Sequence, residues 1–356
     1  MLIPKSSMKK ILLLLLTIGL LSCNSKSKDL AQNKAVDPKA TASKINGITL
    51  VATRDSIDHT AILPFKNYNA NYAAIIPYAW MQSLEEPKVT YEEIRGWWGE
   101  KPHGVAKTAS LMKDQGIKVL LKPQIWIGRG DYTGSISLKS EEAWKTLEDT
   151  YTDYIMKFAQ IAAREKIGMF CIGTELDSFV KERPAYWLRL IKNIRMVYAG
   201  ELTYAANWDN YKHVTFWSDL DYVGVDAYFP LSDEKTPDAA TITKNWQKWK
   251  DEMKGISEKY DKKILFSEYG YISADYAGKE PWKNAGEDRE VNEEAQHILF
   301  EQLYKNIWQE DWMAGGFVWK HHAEDNKWRG YEKRFTPQNK KAQQTIAKAY
   351  RKASKG

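Results

Sequence analysis

Two glutamates in matching settings carry the clearest chemistry in this chain. Glu175 stands in Ile172-Gly173-Thr174-Glu175-Leu176-Asp177-Ser178-Phe179, just after the apolar run Gly168-Met169-Phe170-Cys171-Ile172. Glu268 follows Lys263-Ile264-Leu265-Phe266-Ser267 and leads into Tyr269-Gly270-Tyr271. Both runs are short and β-prone, so each reads as a buried strand that ends on a carboxylate. Paired carboxylates of this kind suit glycoside hydrolysis: one acid protonates the leaving oxygen while a carboxylate acts on the other face of the sugar. A separation of ~5–5.5 Å makes the second group a nucleophile and retains the anomeric configuration. Either glutamate alone could equally bridge to a lysine or arginine inside a fold. The pair is the informative feature.

The elements that must position this pair are legible as an alternation of short β-like runs with longer helix-like ones. The other runs are Gly47–Val51, Tyr72–Pro77, Ile117–Pro123, Glu201–Ala206, Tyr222–Asp226 and Gly315–Trp319, which brings the count to eight. Alternation predicts a parallel sheet, and the count of eight predicts a single closed (β/α)8 TIM barrel spanning 47–356 with a C-terminal helix. Glu175 and Glu268 lie 93 residues apart, three units of about 31, a typical strand-plus-helix length in such barrels. They therefore fall on strands four and seven, which face each other across the barrel. Helical spacing of apolar residues marks Ser140–Lys166 (Trp144, Leu147, Tyr151, Ile155, Phe158), Ala185–Tyr198, a segment around Trp246, Trp249 and Met253, and Ala295–Trp308.

The two ends of the runs differ in chemistry. Lys122-Pro123-Gln124-Ile125-Trp126 comes after the third, Asn207-Trp208-Asp209 after the fifth, Asp226-Ala227-Tyr228-Phe229 after the sixth and Trp319-Lys320-His321-His322 after the eighth. Junctions at the opposite end, such as Asp114-Gln115-Gly116, are plain turn chemistry. Carboxylates, amides and aromatics gathered at the C-terminal lip are the pattern of a barrel enzyme acting on sugars. Asp226 reads as a structural strand-end residue. His321, His322, Glu324 and Asp325 raise the question of a metal, but adjacent strand residues point in opposite directions and suit one ion poorly. No metal and no cofactor are expected, since no phosphate-binding glycine loop or Ser/His/Asp arrangement is evident either.

Composition sets the outer limits. The chain has 356 residues, 15 Trp and 20 Tyr, and rings with one polar atom suit a cleft that receives the C–H faces of sugars. Part of that aromatic content belongs instead to the helical shell. Formal charge is +6, and the leader's Lys5, Lys9 and Lys10 account for half of it, so the balance does not point to nucleic acid as a partner.

The strand-end segments resemble known signatures. Ile172–Ser178 and Leu265–Tyr271 resemble the acid/base and nucleophile strands of glycoside hydrolase family 113, Gly224–Pro230 its sixth strand, and Leu121-Lys122-Pro123 its third. The similarity spans about residues 45–335. The resemblance implies a retaining barrel hydrolase of β-1,4-mannan or manno-oligosaccharides, with Glu175 as general acid/base and Glu268 as nucleophile. It further implies that Tyr228 orients Glu268 and that Trp319 is the platform under the sugar whose bond is cut. Asn207, Trp208, Gln124, Lys122 and Trp126 would line the cleft. Thr174 stands where the wider clan has Asn, and Gln124 where many members have His, which removes a base or metal role there. For the acid to be protonated near neutral pH, Glu175 needs an apolar setting or a second negative charge, and Glu268 is expected to supply that charge.

The N-terminus reads as an export leader. Residues 1–22 combine basic residues with the apolar core Ile11–Leu20, too short for a confident membrane span, and Leu20-Leu21-Ser22-Cys23 resembles a bacterial lipobox. Cys23 would carry the lipid. The remaining stretch to residue 46 lacks aromatics and reads as a tether. Cys171, inside a strand, is left as a core thiol. The expectation is a monomeric lipoprotein held in the cell envelope, on the periplasmic face or the surface of the outer membrane, with a β-linked glycan and the membrane as its partners. Two other readings stay open: hydrolysis of a β-glucan or xylan, and a non-catalytic glycan-binding lipoprotein.

Overall fold

The computed structural model describes residues 43–92, 96–324 and 330–354. The expected leader, Cys23, the tether up to residue 42 and Asp325 lie outside the described residues. Among those described, eight strands close into a barrel in sequence order, every neighbour parallel. They are β1 (Ile45–Leu50), β2 (Tyr72–Ile75), β3 (Lys118–Leu121), β4 (Met169–Thr174), β5 (Glu201–Asn207), β6 (Tyr222–Asp226), β7 (Lys263–Tyr269) and β8 (Met313–His321). Each coincides with a run in the sequence, because a strand buried on both faces must be apolar throughout. The main differences are at strand ends, where the ladders of β7 and β8 extend past their apolar runs. The fold is the (β/α)8 TIM barrel.

Helices pack outside the strands: α1 (Pro64–Asn67), α2 (Pro102–Asp114), α3 (Glu141–Arg164), α4 (Asp177–Glu182), α5 (Pro184–Val197), α6 (Ala239–Tyr260), α7 (Glu293–Asn306) and α8 (Lys341–Ala353). The longest, α3, starts where Ser140 caps the Ala143 amide at 3.1 Å and buries the Trp144, Leu147, Tyr151, Ile155 and Phe158 stripe. The β5-to-β6 link has no such helix; two short turns, Tyr211–His213 and Trp217–Asp219, do its work. The barrel interior is filled by Leu120, Met169, Cys171, Ala205, Leu265 and Phe317, so it is packed rather than open. Cys171 is fully buried there, and burial pushes its thiol up to about 11, which keeps it protonated and inert.

Two proline interruptions shape the mouth. Pro77 and Pro123 end the ladder of β2 and β3, and each chain then resumes as a short parallel pair, Tyr78–Met81 beside Gln124–Ile127. Tyr154 of α3 anchors the break by donating to the Pro77 and Gln124 carbonyls at 2.9 and 3.1 Å. The period-2 alternation of this pair sends Ala79, Met81, Ile125 and Ile127 into the core. Tyr78, Trp80, Gln124 and Trp126 therefore share the other face, with Trp80 beside Trp126 in register.

The approach to Glu175 is set by close packing. The Tyr151 hydroxyl donates to the Ile172 carbonyl at 2.8 Å, and a Cβ on Gly173 would lie 2.8 Å from that hydroxyl and 2.9 Å from the Trp187 ring. Gly173→Ala is therefore expected to cost about 1–3 kcal/mol and to lower the thermal midpoint by several degrees. A melting curve matching that of the unaltered protein would contradict this packing.

Candidate active site

The barrel pattern that fills the interior lower down changes to charge near the lip. Two residues on from Leu120, Lys122 is wholly buried; two on from Gly224, Asp226 is 1% exposed. The Lys122 Nζ donates to Asp226 Oδ1 at 3.1 Å and to Glu268 Oε1 at 2.6 Å. Burial alone would lower the lysine's pKa, but the two carboxylates outweigh it and hold the ammonium charged. Ser267 Oγ adds a bond to Asp226 Oδ1 at 2.8 Å.

Glu268 receives two more donors. Gln124 Nε2 reaches Oε1 at 2.8 Å, and the Tyr228 hydroxyl reaches Oε2 at 2.9 Å. Burial, then the Glu268 charge, raises the Tyr228 pKa far above the ordinary phenol value, so it acts only as a donor. Three donors on two oxygens fix the carboxylate's rotation and favour an acceptor-only group. This is the setting of a preorganised nucleophile.

Glu175 is built differently. Its backbone sits at φ +50°, a conformation that non-glycine residues adopt at some cost and that recurs at functional sites. The turn is held by its own amide on the Ala205 carbonyl at 2.8 Å and by Thr133 Oγ1 on its carbonyl at 3.0 Å. Its carboxyl is raised well above the usual range, first by burial and then by the charges of Asp226 and Glu268, with Lys122 opposing. Asp226 thus stands ahead of Glu268 among the negative neighbours, so the charge near the acid comes from two groups rather than from Glu268 alone. Asp226 is more than a structural strand end.

The remaining sequence candidates fall into distinct places. Trp126 is 52% exposed, and with Trp319 it lines a cleft of about 770 Å³ together with Tyr78, Trp80, Trp97 and Lys320. Lys122 does not line that cleft; it lies beneath Glu268. Asn207 Nδ2 donates to the Tyr132 hydroxyl at 2.8 Å, which in turn donates to Asp177 Oδ2 at 2.7 Å. Trp208 is half-buried, stacked under Trp282 with centroids 5.4 Å apart and planes 19° apart. His321 and His322 do not converge: His321 is buried against Phe65 and Tyr68, while the His322 backbone is tied to Gln338.

Sequence reasoning missed Tyr78, Trp80, Trp97, Tyr132, Thr133, Asp177 and Trp282. Tyr78 stands directly after the second run and was available to the same strand-end argument. Trp80 lies in the strand extension after Pro77 and Asp177 opens α4; Trp97, Tyr132, Thr133 and Trp282 sit in loops whose course no local pattern sets.

A parallel eightfold barrel with two carboxylates at its C-terminal mouth, one held by three donors and the other kept protonated, defines a barrel enzyme of the glycosidase class. The chain matches the model of Glycoside Hydrolase Family 113 over residues 52–341, and it belongs to that family. It is a glycoside hydrolase. Among solved structures, a family 113 β-mannanase from Alicyclobacillus acidocaldarius in complex with ManMIm superposes with a TM-score of 0.78 at 22% identity, covering 88% of this chain and 98% of that one. A β-1,4-mannanase of the same family gives 0.75 at 20% identity, covering 87% and 99%. The fold extends further: a Faecalibacterium prausnitzii β-glucuronidase gives 0.57 at 14% identity, over 88% of this chain and 49% of that one. At such identities the likeness is one of fold. No curated protein sequence matches the chain significantly.

The two-carboxylate field around Glu175 has a measurable consequence. Replacing Asp226 by Asn removes a negative charge, which lowers the Glu175 pKa and strips its proton at lower pH. Asp226→Asn should therefore move the basic limb of the kcat/KM profile down by roughly one pH unit. A basic limb left in place would contradict Asp226 as a source of that field.

Proposed function

We propose that the chain hydrolyses β-1,4-linked mannan or manno-oligosaccharides by double displacement, with Glu268 as nucleophile and Glu175 as acid and then base. The observation that carries this reading is the contrast in setting: Glu268 takes bonds from Lys122, Gln124 and Tyr228, while Glu175 takes none of these and is held protonated. In the first step the Glu268 carboxylate attacks the anomeric carbon and Glu175 gives its proton to the leaving oxygen. Once Glu268 is a glycosyl ester its charge is gone, the Glu175 pKa falls, and the carboxylate formed there takes a proton from water. Asp226, whose own carboxyl is raised to about 7 by burial and the Glu268 charge, stays beside Glu175 through this stage, so the fall is partial. Tyr228 stays near the anomeric centre as a donor, and Trp319 serves as platform for the sugar being cleaved.

Exposed rings occur in two parts of the loops above the barrel, Trp80, Trp97 and Trp126 in the cleft towards β1–β3 and Trp282 in the β7–α7 loop. That supports a cleft open at both ends and cleavage within a chain. Mannan as the glycan rests on the family and on the mannanases it superposes with. Incubation with mannohexaose, cellohexaose and xylohexaose tests this directly. Cleavage of mannohexaose at internal bonds is expected; cleavage confined to another series would replace the substrate, and binding without any hydrolysis would make the protein a glycan-binding lipoprotein.

We also infer a lipid anchor at Cys23 and a place in the cell envelope, supported by Leu20-Leu21-Ser22-Cys23 after a basic and apolar leader. Cys23→Ser should move the protein from the membrane to the soluble fraction. Unchanged membrane recovery would remove the anchor.

A further inference from the structure

Trp208 was the ring expected to face the glycan from strand five, yet the protein itself occupies it. Trp282 stacks on one face of its indole, and Trp249 and Phe229 meet it edge-on at centroid distances of 5.6 and 6.1 Å. The ring left to solvent is Trp282, 42% exposed.

Trp282 sits in the loop between β7 and α7, the loop that comes after Glu268 along the chain, and this loop is built rather than loose. An Ala274–Val291 bridge closes its base. Its outward strand is tied to the β6–α6 segment by backbone bonds from Leu231 to the Gly278 carbonyl at 2.8 Å and from Tyr276 to the Lys235 carbonyl at 3.0 Å. The Lys235–Asp275 ion pair at 3.1 Å and the Lys283–Glu280 pair at 2.6 Å add further ties. The ring is thus held by a pinned loop while 42% of it stays open to solvent, so it can meet a ligand without first having to be ordered.

Its position says which part of a glycan it faces. Trp208 follows Asn207, whose amide bonds Tyr132, and Tyr132 belongs to the group of side chains around Glu175. Glu175 delivers its proton to the departing oxygen, so its neighbours border the leaving sugar. The 770 Å³ cleft, with Trp319, lies on the β1–β3 and β8 side instead.

We propose that Trp282, backed by Trp208, is a binding platform for a β-linked hexose on the leaving-group side of the scissile bond, the C–H face of the sugar lying on the free face of the indole. This rests on the assignment of Glu175 as the acid of a β-glycan hydrolase. The partner is an uncharged pyranose ring rather than another protein, because the exposed tryptophans Trp80, Trp97, Trp126 and Trp282 occur on loops and strand extensions of the catalytic mouth.

The test compares mannohexaose with β-mannobiosyl fluoride, whose leaving group is too small to reach Trp282. Trp282→Ala should lower kcat/KM on the hexaose about tenfold more than on the fluoride, the size expected for removing one well-packed aromatic contact. Trp282→Phe should restore most of the loss, and products should shift towards cuts that leave fewer sugars on the leaving side. Equal losses on both substrates, or no loss on the hexaose, would overturn the platform. If the unaltered enzyme cleaves only gluco- or xylo-oligosaccharides, the mannan reading fails, and the same long-versus-fluoride comparison in that series still decides the role of Trp282. If it cleaves nothing, titration of the hexaose into the unaltered and Trp282→Ala proteins decides it: tenfold weaker binding supports the platform and equal binding overturns it.

Discussion

One buried ammonium organises the mouth of this barrel. The Lys122 Nζ lies between Asp226 and Glu268, with all three side chains nearly out of solvent. Removing the lysine from such a site leaves two buried carboxylates without their cation, in a medium where an unpaired charge costs several kcal/mol. The trio therefore fixes β3, β6 and β7 relative to one another at their C-terminal ends. It also sets the rotation of Glu268, which Gln124 and Tyr228 complete. The arrangement leaves two carboxylates sharing one cation, and the surplus negative charge falls on Glu175. The same cluster thus holds one glutamate as a fixed acceptor and pushes the next towards its protonated form.

The barrel makes this economical. Inward positions alternate along each strand, so a sequence that is apolar at Leu120 and small at Gly224 places Lys122 and Asp226 on the same inward-facing rows two residues later. Glu175 leaves its row through a left-handed turn and is tied to the loop carrying Tyr132 and Thr133. The proposed nucleophile and the proposed acid are thereby attached to different surroundings: one to the barrel floor, the other to the loop carrying Tyr132 and Thr133. A double-displacement enzyme needs that separation, because one carboxylate must stay a nucleophile while the other changes protonation state twice.

Much of this was legible in the amino-acid order because burial enforces pattern. Eight apolar runs correspond to eight strands, the helical spacing over Ser140–Lys166 coincides with α3, and the strand-end rule leads to Glu175, Glu268, Tyr228 and Gln124. The rule misplaced Lys122: it follows an apolar run as a cleft residue would, but the inward row carries it below the surface. Nor did it foresee that β2 and β3 resume after Pro77 and Pro123, which is what sets Trp80 beside Trp126. Trp282 left no trace in local pattern, since a loop's course depends on long-range ties such as Leu231 to Gly278. Trp208 was chosen for its place after a strand, and only packing revealed that Trp282 covers it.

The central claim is that Glu268 and Glu175 act in succession on one bond through a covalent intermediate. Proton NMR of the reducing end first released from mannohexaose reads this most directly, before the anomers equilibrate. Double displacement predicts that the new reducing end appears as the β-anomer and drifts to the equilibrium mixture. Initial release of the α-anomer would mean a single displacement by water, and would contradict the assignment of Glu268 as the nucleophile.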